Sequence, residues 1–143
     1  MSGPGQALFA FVRHWARRST ADDAADQGRL VLVGEAVHSL AERGVPATVN
    51  AIAVEIGIDQ SGVSRLVKAA IEAGYLAMAA SRTDGRRREV SLTPEGRAML
   101  DEAHRWQEQI FAQLTVGWSA RRRRDFQQAM GDLIERSRSL NAP

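Results

Sequence analysis

TVNAIAVEIGIDQSGVSRLVKAAIEAGYLAMAASRTDGRRREVSL, residues 48–92, runs two short helical patterns, a tight turn and a basic hairpin together with no spare linker. In its first part Val49, Ile52, Ala53 and Ile56 recur at the i, i+3, i+4, i+7 spacing of one helix face. Thr48 can cap that helix, because its hydroxyl accepts from an otherwise unpaired amide of the first turn. Gly57 stops it, being free to take the positive φ that a helix C-terminus commonly needs. Only Ile58 and Asp59 precede the next start, a helix that opens at Asp59, Gln60 or Ser61, runs to about Ala73 and closes at Gly74. On this second helix Val63, Leu66, Val67, Ala70 and Ile71 share one face, and Ser61, Ser64, Arg65 and Lys68 cluster on the opposite one. A hydroxylic and basic outer face on an isolated helix is more often simply solvated. Here Ala53, Gly57 and Val63 stand where a helix-turn-helix needs a small contact residue, a permissive turn and a buried anchor.

The residues after Gly74 strengthen that reading. Tyr75 to Met78 and Glu89 to Leu92 are strand-like, and Asp84-Gly85 between them is a strong turn dipeptide. The two strands form a hairpin with Arg82, Arg86, Arg87 and Arg88 around its tip, so the stretch predicts a winged helix-turn-helix. Charge agrees. The whole chain is only +2, from 19 basic and 17 acidic residues. Residues 60–88 hold six of the basic residues (Arg65, Lys68, Arg82, Arg86, Arg87, Arg88) and only two of the acidic ones (Glu72, Asp84). A basic footprint confined to one surface fits recognition of double-stranded DNA, and argues against blanket coating of nucleic acid.

Length and composition bound the rest. With 143 residues and 44% hydrophobic content the chain suits one domain, or one DNA-binding lobe with a helical extension. No apolar run nears 18 residues and no charged-then-apolar leader opens the chain, which predicts a cytoplasmic protein without a membrane partner. Zero cysteines removes disulfides, thiolate zinc sites and cysteine redox sensing. His14, His38 and His104 lie far apart in sequence, so no metal site and no cofactor is expected.

Outside the reading unit the pattern is helical. Met1 to Gly5 is Gly/Pro-rich and reads as frayed, before Leu8, Phe11, Val12 and Trp15 make a stripe ending at Arg17-Arg18. Asp22, Asp23 and Asp26 favour a helix N-terminal region, where carboxylates complement the dipole. The helix they open continues through Leu30, Val33, Val37, Leu40 and Ala41 to Arg43-Gly44, apolar on more than one face as a central helix would be. Pro46 disfavours helix at Val45, leaving room for a short edge strand. Thr93-Pro94-Glu95 opens a long helix carrying Met99, Ala103, Trp106, Ile110 and Leu114. After a break at Gly117 to Ser119, a last helix bears Phe126, Met130, Leu133, Ile134 and Leu140. Four cations at its start, Arg121 to Arg124, oppose its dipole, which invites contact with an anion or DNA backbone, although solvated, ion-paired arginines are the commoner case. The terminal stripes cannot bury themselves alone, and a two-fold homodimer answers that need better than folding back within one chain.

The fold class expected is therefore mainly α with a small β-hairpin wing, a winged helix-turn-helix flanked by N- and C-terminal dimerisation helices. The expected division is 1–28 for the tail and first dimerisation helix, 29–92 for the DNA-binding unit, and 93–143 for the C-terminal dimerisation helices.

GIDQSGVSRLVKAAIEAGYL (57–76) and TDGRRREVSLTPEGRAML (83–100) resemble the multiple antibiotic resistance regulator (MarR) family of bacterial transcription factors, most specifically in the wing and its exit through Val90 to Gly96. The resemblance implies a homodimer on a near-palindromic operator, with recognition helices in successive major grooves and wings in the flanking minor grooves. Carried over, Gln60, Ser61, Ser64, Arg65 and Lys68 lie at the major groove, and Arg86 enters the minor groove. Asp84 either braces the wing by pairing with an arginine or simply favours the turn. Gly62 permits close backbone approach, and Thr48, Arg82, Arg87 and Arg88 complete the DNA-contact set.

The chemistry fits: Arg65 can make a bidentate contact to guanine O6 and N7, and the helix start at Ser61 can hold a phosphate. The family's small, often aromatic effectors sit between reading unit and dimer helices, which implies a pocket at His14, Trp15, Arg17 and Trp106. Tryptophan at such positions serves a core more often. Two departures weaken the effector inference: the strand Leu76 to Ala80 lacks a charged residue, and the link between the first two helices lacks the family's usual wording. The function expected is a transcription regulator, a repressor relieved by a small ligand. The alternative is a winged-helix architectural or protein-interaction module without ligand sensing. No nucleophile and base motif, phosphate-cradling glycine loop or metal constellation points to an enzyme.

Overall fold

A computed structural model describes residues 3–18 and 25–141. The side chains of Arg17 and Asp26, and all of Asp22 and Asp23, lie outside the described residues. The order is α1 (Pro4–Arg18), α2 (Ala25–Glu42), α3 (Val49–Ile56), α4 (Gln60–Glu72), β1 (Leu76–Ala80), β2 (Arg88–Leu92), α5 (Pro94–Leu114) and α6 (Ala120–Asn141). Residues 1–103 form one compact unit and 104–143 a second.

In the first unit, local chemistry sets the boundaries. Thr48 caps α3 by accepting from the Ala51 N–H at 3.1 Å, and Gly57 ends it at φ 83°. The Thr48 hydroxyl is thereby engaged in the fold. Gly74, at φ 88°, turns the chain from α4 into the wing. One boundary departs from expectation: α1 already begins at Pro4, where a proline at the first helical position loses no hydrogen bond.

The core is where α2, α3, α4 and the hairpin meet. Val33, Val37 and Leu40 of α2, Ile52 of α3, Val63 and Val67 of α4, and Leu76 and Val90 of the strands are all buried in one cluster. Ile71, expected on the buried face of α4, is instead 37% exposed near the helix end, beyond the reach of that cluster. β1 and β2 pair antiparallel with Leu76 opposite Leu92 and Met78 opposite Val90. The edge strand anticipated around Val45 to Ala47 reduces to one bond, the Val90 N–H donating to the Ala47 carbonyl at 2.9 Å. Pro46 has no N–H to continue such a ladder.

Where α4, the wing and α5 converge, Thr93 ties three elements together. Its hydroxyl donates to the Gly74 carbonyl at 2.6 Å and accepts from the Gly96 N–H at 3.0 Å, while its own N–H donates to the Tyr75 carbonyl at 3.1 Å.

In the second unit α6 packs on the end of α5 through aromatic rings. Phe111 stacks on Phe126 with centroids 5.7 Å apart, and Trp118 meets Phe126 edge-on at 5.8 Å. Two of the four arginines at the start of α6 have structural work here. Arg122 lies 4.0 Å over the Trp118 ring, and Arg123 donates to the Thr115 carbonyl at 2.9 Å. The clash of Arg123 with its own helix dipole is thus offset by satisfying a carbonyl just past the C-terminus of α5.

Candidate nucleic-acid interface

The outward face of α4 is as the spacing predicts. Gln60, Ser61, Ser64, Arg65 and Lys68 are exposed, with Val63 fully buried and Val67 nearly so beneath them. A helix anchored along one face in this way presents short hydroxyls and two long cations on the other, the inventory that reads base edges and phosphates in a major groove.

The start of α4 holds a feature that residue spacing does not announce. Asp59, its N-cap residue, makes no side-chain capping bond, and the Ser61 hydroxyl donates to its carboxylate instead. That hydroxyl, followed by the backbone N–H groups of Asp59 and Gly62 and last by the charge of Arg65, holds the Asp59 carboxyl below its ordinary value. Gly62 accommodates the pair, since a Cβ there would lie 2.9 Å from an Asp59 carboxylate oxygen. Because the folded-state value is depressed, whatever stability Asp59 contributes is present above the ordinary carboxylate value and lost as pH falls through the lower folded one. Ser61→Ala is expected to raise the Asp59 value toward normal in an NMR carboxyl titration. An unmoved titration would mean that the serine is not its main partner.

The wing is more elaborate than a two-residue hairpin. Seven residues, 81–87, link the strands, and they are organised by the buried Ser81, whose hydroxyl oxygen accepts from the N–H groups of Thr83 at 3.2 Å and Asp84 at 3.3 Å. The Ser81 N–H donates to the Arg87 carbonyl at 2.7 Å and closes the loop. Asp84 accepts from the Arg86 backbone N–H at 3.0 Å, and among the described residues it has no ion pair. Of its two expected roles, the turn is the one present.

Asp84→Asn should therefore preserve the wing, since an amide oxygen accepts the same bond, whereas Asp84→Ala should loosen residues 83–87 in ¹⁵N relaxation, with global stability within about 0.5 kcal/mol of the parent. Equal loosening by both variants would restore the ion-pair role. Arg82, Arg86, Arg87 and Arg88 are all exposed. Arg88 differs in that its Nε donates to the Met78 sulfur at 3.4 Å, which folds its side chain back over β1.

The implied effector residues are less coherent. His14 is exposed and packs edge-on against the half-buried Trp15 at 5.5 Å in the first unit. Trp106, in the second, is 42% exposed and so serves no closed core within the chain. A groove of about 770 Å³ lies elsewhere, between α2 and α4, and none of these residues lines it. Among the described residues no group of His, Asp or Glu could hold a metal ion, and no helix is long and apolar enough to cross a membrane.

A recognition helix packed behind a buried anchor, a short glycine turn before it and a basic hairpin after it make this a winged helix-turn-helix protein. Residues 35–87 match the MarR family model, and over that stretch the chain is similar to the MarR family.

Solved structures agree in fold. A MarR family transcriptional regulator from Silicibacter pomeroyi is 22% identical with a TM-score of 0.67, covering 95% of this chain and 90% of that one. BpsR of Bordetella bronchiseptica, whose DNA binding is regulated by 6-hydroxynicotinic acid, is 25% identical with a TM-score of 0.59, covering 90% and 96%. A MepR mutant from S. aureus is 16% identical with a TM-score of 0.69, covering 94% and 98%. Comparison with curated proteins by sequence gives no match.

Proposed function

We propose that this chain is a homodimeric, sequence-specific DNA-binding transcription regulator, a repressor released by a small ligand. The observation that carries the reading is the sorting of α4, whose apolar side chains are buried while Ser61, Ser64, Arg65 and Lys68 stand exposed ahead of a wing with four exposed arginines. In this reading residues 29–92 read DNA, and 1–28 with 93–143 supply the dimer helices. Exposed apolar side chains on α1 (Phe9, Phe11, Val12) and on α6 (Phe126, Leu133, Ile134, Leu140) support the second part, being more apolar surface than isolated helices leave in water. Ligand release is supported by the regulation that BpsR shows.

The test is selection from a random duplex library at physiological salt, run beside a measurement of solution mass. A dimer that enriches a near-palindrome, with half-site centres about 34 to 36 Å apart, upholds the proposal. Salt-sensitive binding with no enriched sequence would mean an architectural module, and a monomer would undo the role given to the terminal helices.

A further inference from the structure

Of the 12 glycines in the chain, only Gly85 follows an aspartate or asparagine, and the wing loop holds that pair in the open. Both residues are exposed, and a Cβ built on Gly85 would meet nothing within 4 Å. Its φ lies outside the left-handed region, so the fold accepts alanine there. What glycine brings is an amide nitrogen with no side chain beside it. The Asp84 carboxylate is curled forward over that nitrogen, because its Oδ1 accepts from the Arg86 N–H at 3.0 Å across the Gly85 peptide. Aspartates elsewhere differ. Asp101, Asp125 and Asp132 lie inside helices, where the following amide is committed to a backbone bond, and Asp59 is followed by glutamine.

We propose that Asp84-Gly85 is a site of spontaneous aspartyl isomerisation, and that the isoaspartyl form withdraws Arg86 from DNA. The Gly85 nitrogen attacks the Asp84 carboxyl carbon: a C–N bond forms, a C–O bond breaks, and the hydroxyl leaves with the amide proton as water. Water then reopens the resulting succinimide ring. Addition at the former side-chain carbonyl restores aspartate. Addition at the main-chain carbonyl yields isoaspartate of unchanged mass, its backbone rerouted through Cβ and Cγ. The two bonds that shape the turn end on the groups that trade places, the Arg86 N–H on the Asp84 carboxylate and the Arg87 N–H, at 3.0 Å, on the Asp84 carbonyl. The loop also gains a main-chain atom inside the closure from the Ser81 N–H to the Arg87 carbonyl. Arg86 cannot keep its place through both changes. The effect on DNA rests on the proposed DNA-binding function, but the isomerisation does not.

The test ages the full chain at mildly acidic pH, which favours the reacting neutral acid, beside a synthetic peptide of residues 81–89. Isoaspartate is located by mapping the tryptic peptide 83–86 and counted by methyl transfer from S-adenosylmethionine with an isoaspartyl carboxyl methyltransferase. It should accumulate at residue 84 at a rate close to that of the peptide. Gly85→Ala should fold as the parent does and isomerise about tenfold more slowly, equal to about 1.4 kcal/mol in the barrier. The separated isoaspartyl form should bind the library-selected duplex about tenfold more weakly, and methyltransferase repair should restore the affinity.

Residue 84 unmodified once the peptide has converted, Gly85→Ala isomerising as fast as the parent, or an isoaspartyl form that binds the duplex as tightly as fresh protein would each overturn the proposal. If the library yields no duplex, the regulator reading fails by itself, while the peptide maps still decide whether residue 84 isomerises.

Discussion

Gly96→Ala is expected to cost about 3 kcal/mol of folding stability, at the upper end of overpacking effects. A Cβ at this position would sit 2.1 Å from the Tyr75 carbonyl oxygen and 3.0 Å from its carbon. Neither neighbour can rotate away, because the obstacle is backbone, and that same carbonyl accepts the Thr93 N–H. Relief requires α5 to move off the wing root and strain the Thr93 bonds. Urea denaturation should show a lower midpoint with an unchanged slope, and the melting temperature should drop by about 10 °C. Gly131→Ala is the matched control, since a Cβ in that part of α6 meets nothing within 4 Å. It should be neutral or stabilising by up to about 1 kcal/mol, as alanine is the better helix former. Similar losses in both variants would deny the close approach at Gly96.

Arg65→Ala is expected to weaken specific DNA binding by about 1 to 3 kcal/mol and to relax base preference at one position in each half-site. The side chain is exposed on α4 one turn beyond Ser61, with buried Val63 and Val67 on either side fixing the backbone that carries it. Lys68→Ala provides the contrast. As a phosphate contact it should weaken all sequences alike and lower the salt slope by about one. If selection after Arg65→Ala returns the parent sequence at uniformly lower affinity, Arg65 touches phosphate only and base reading must lie with Gln60 or Ser64.

Much of this architecture was legible because it is set by residues acting on their immediate neighbours. Gly57 and Gly74 end helices through their own positive φ, and Thr93-Pro94 starts one through its own hydroxyl and ring. The outward set on α4 followed from periodicity alone. What escaped depends on groups the sequence does not place side by side. Asp84-Gly85 marks the turn, but nothing in the residue pattern shows that the Ser81 hydroxyl gathers two amides to organise the loop. The quartet Arg121 to Arg124 looked uniform, but only the approach of α5 gives Arg123 a carbonyl to bond. Arg29 and Arg65 are 36 positions apart and share a groove only after α2 packs on α4.

The junction at Thr93 also has a mechanical meaning. Hydrogen bonds of one residue join the end of α4, the root of the wing and the first turn of α5, so these three ends pivot as one piece. The 13 residues of α4 make a lever about 20 Å long from that pivot. A tilt of about 10° at the base of α5 would swing the far end of α4, where Gln60 and Ser61 stand, by about 3 Å, the width of one hydrogen bond.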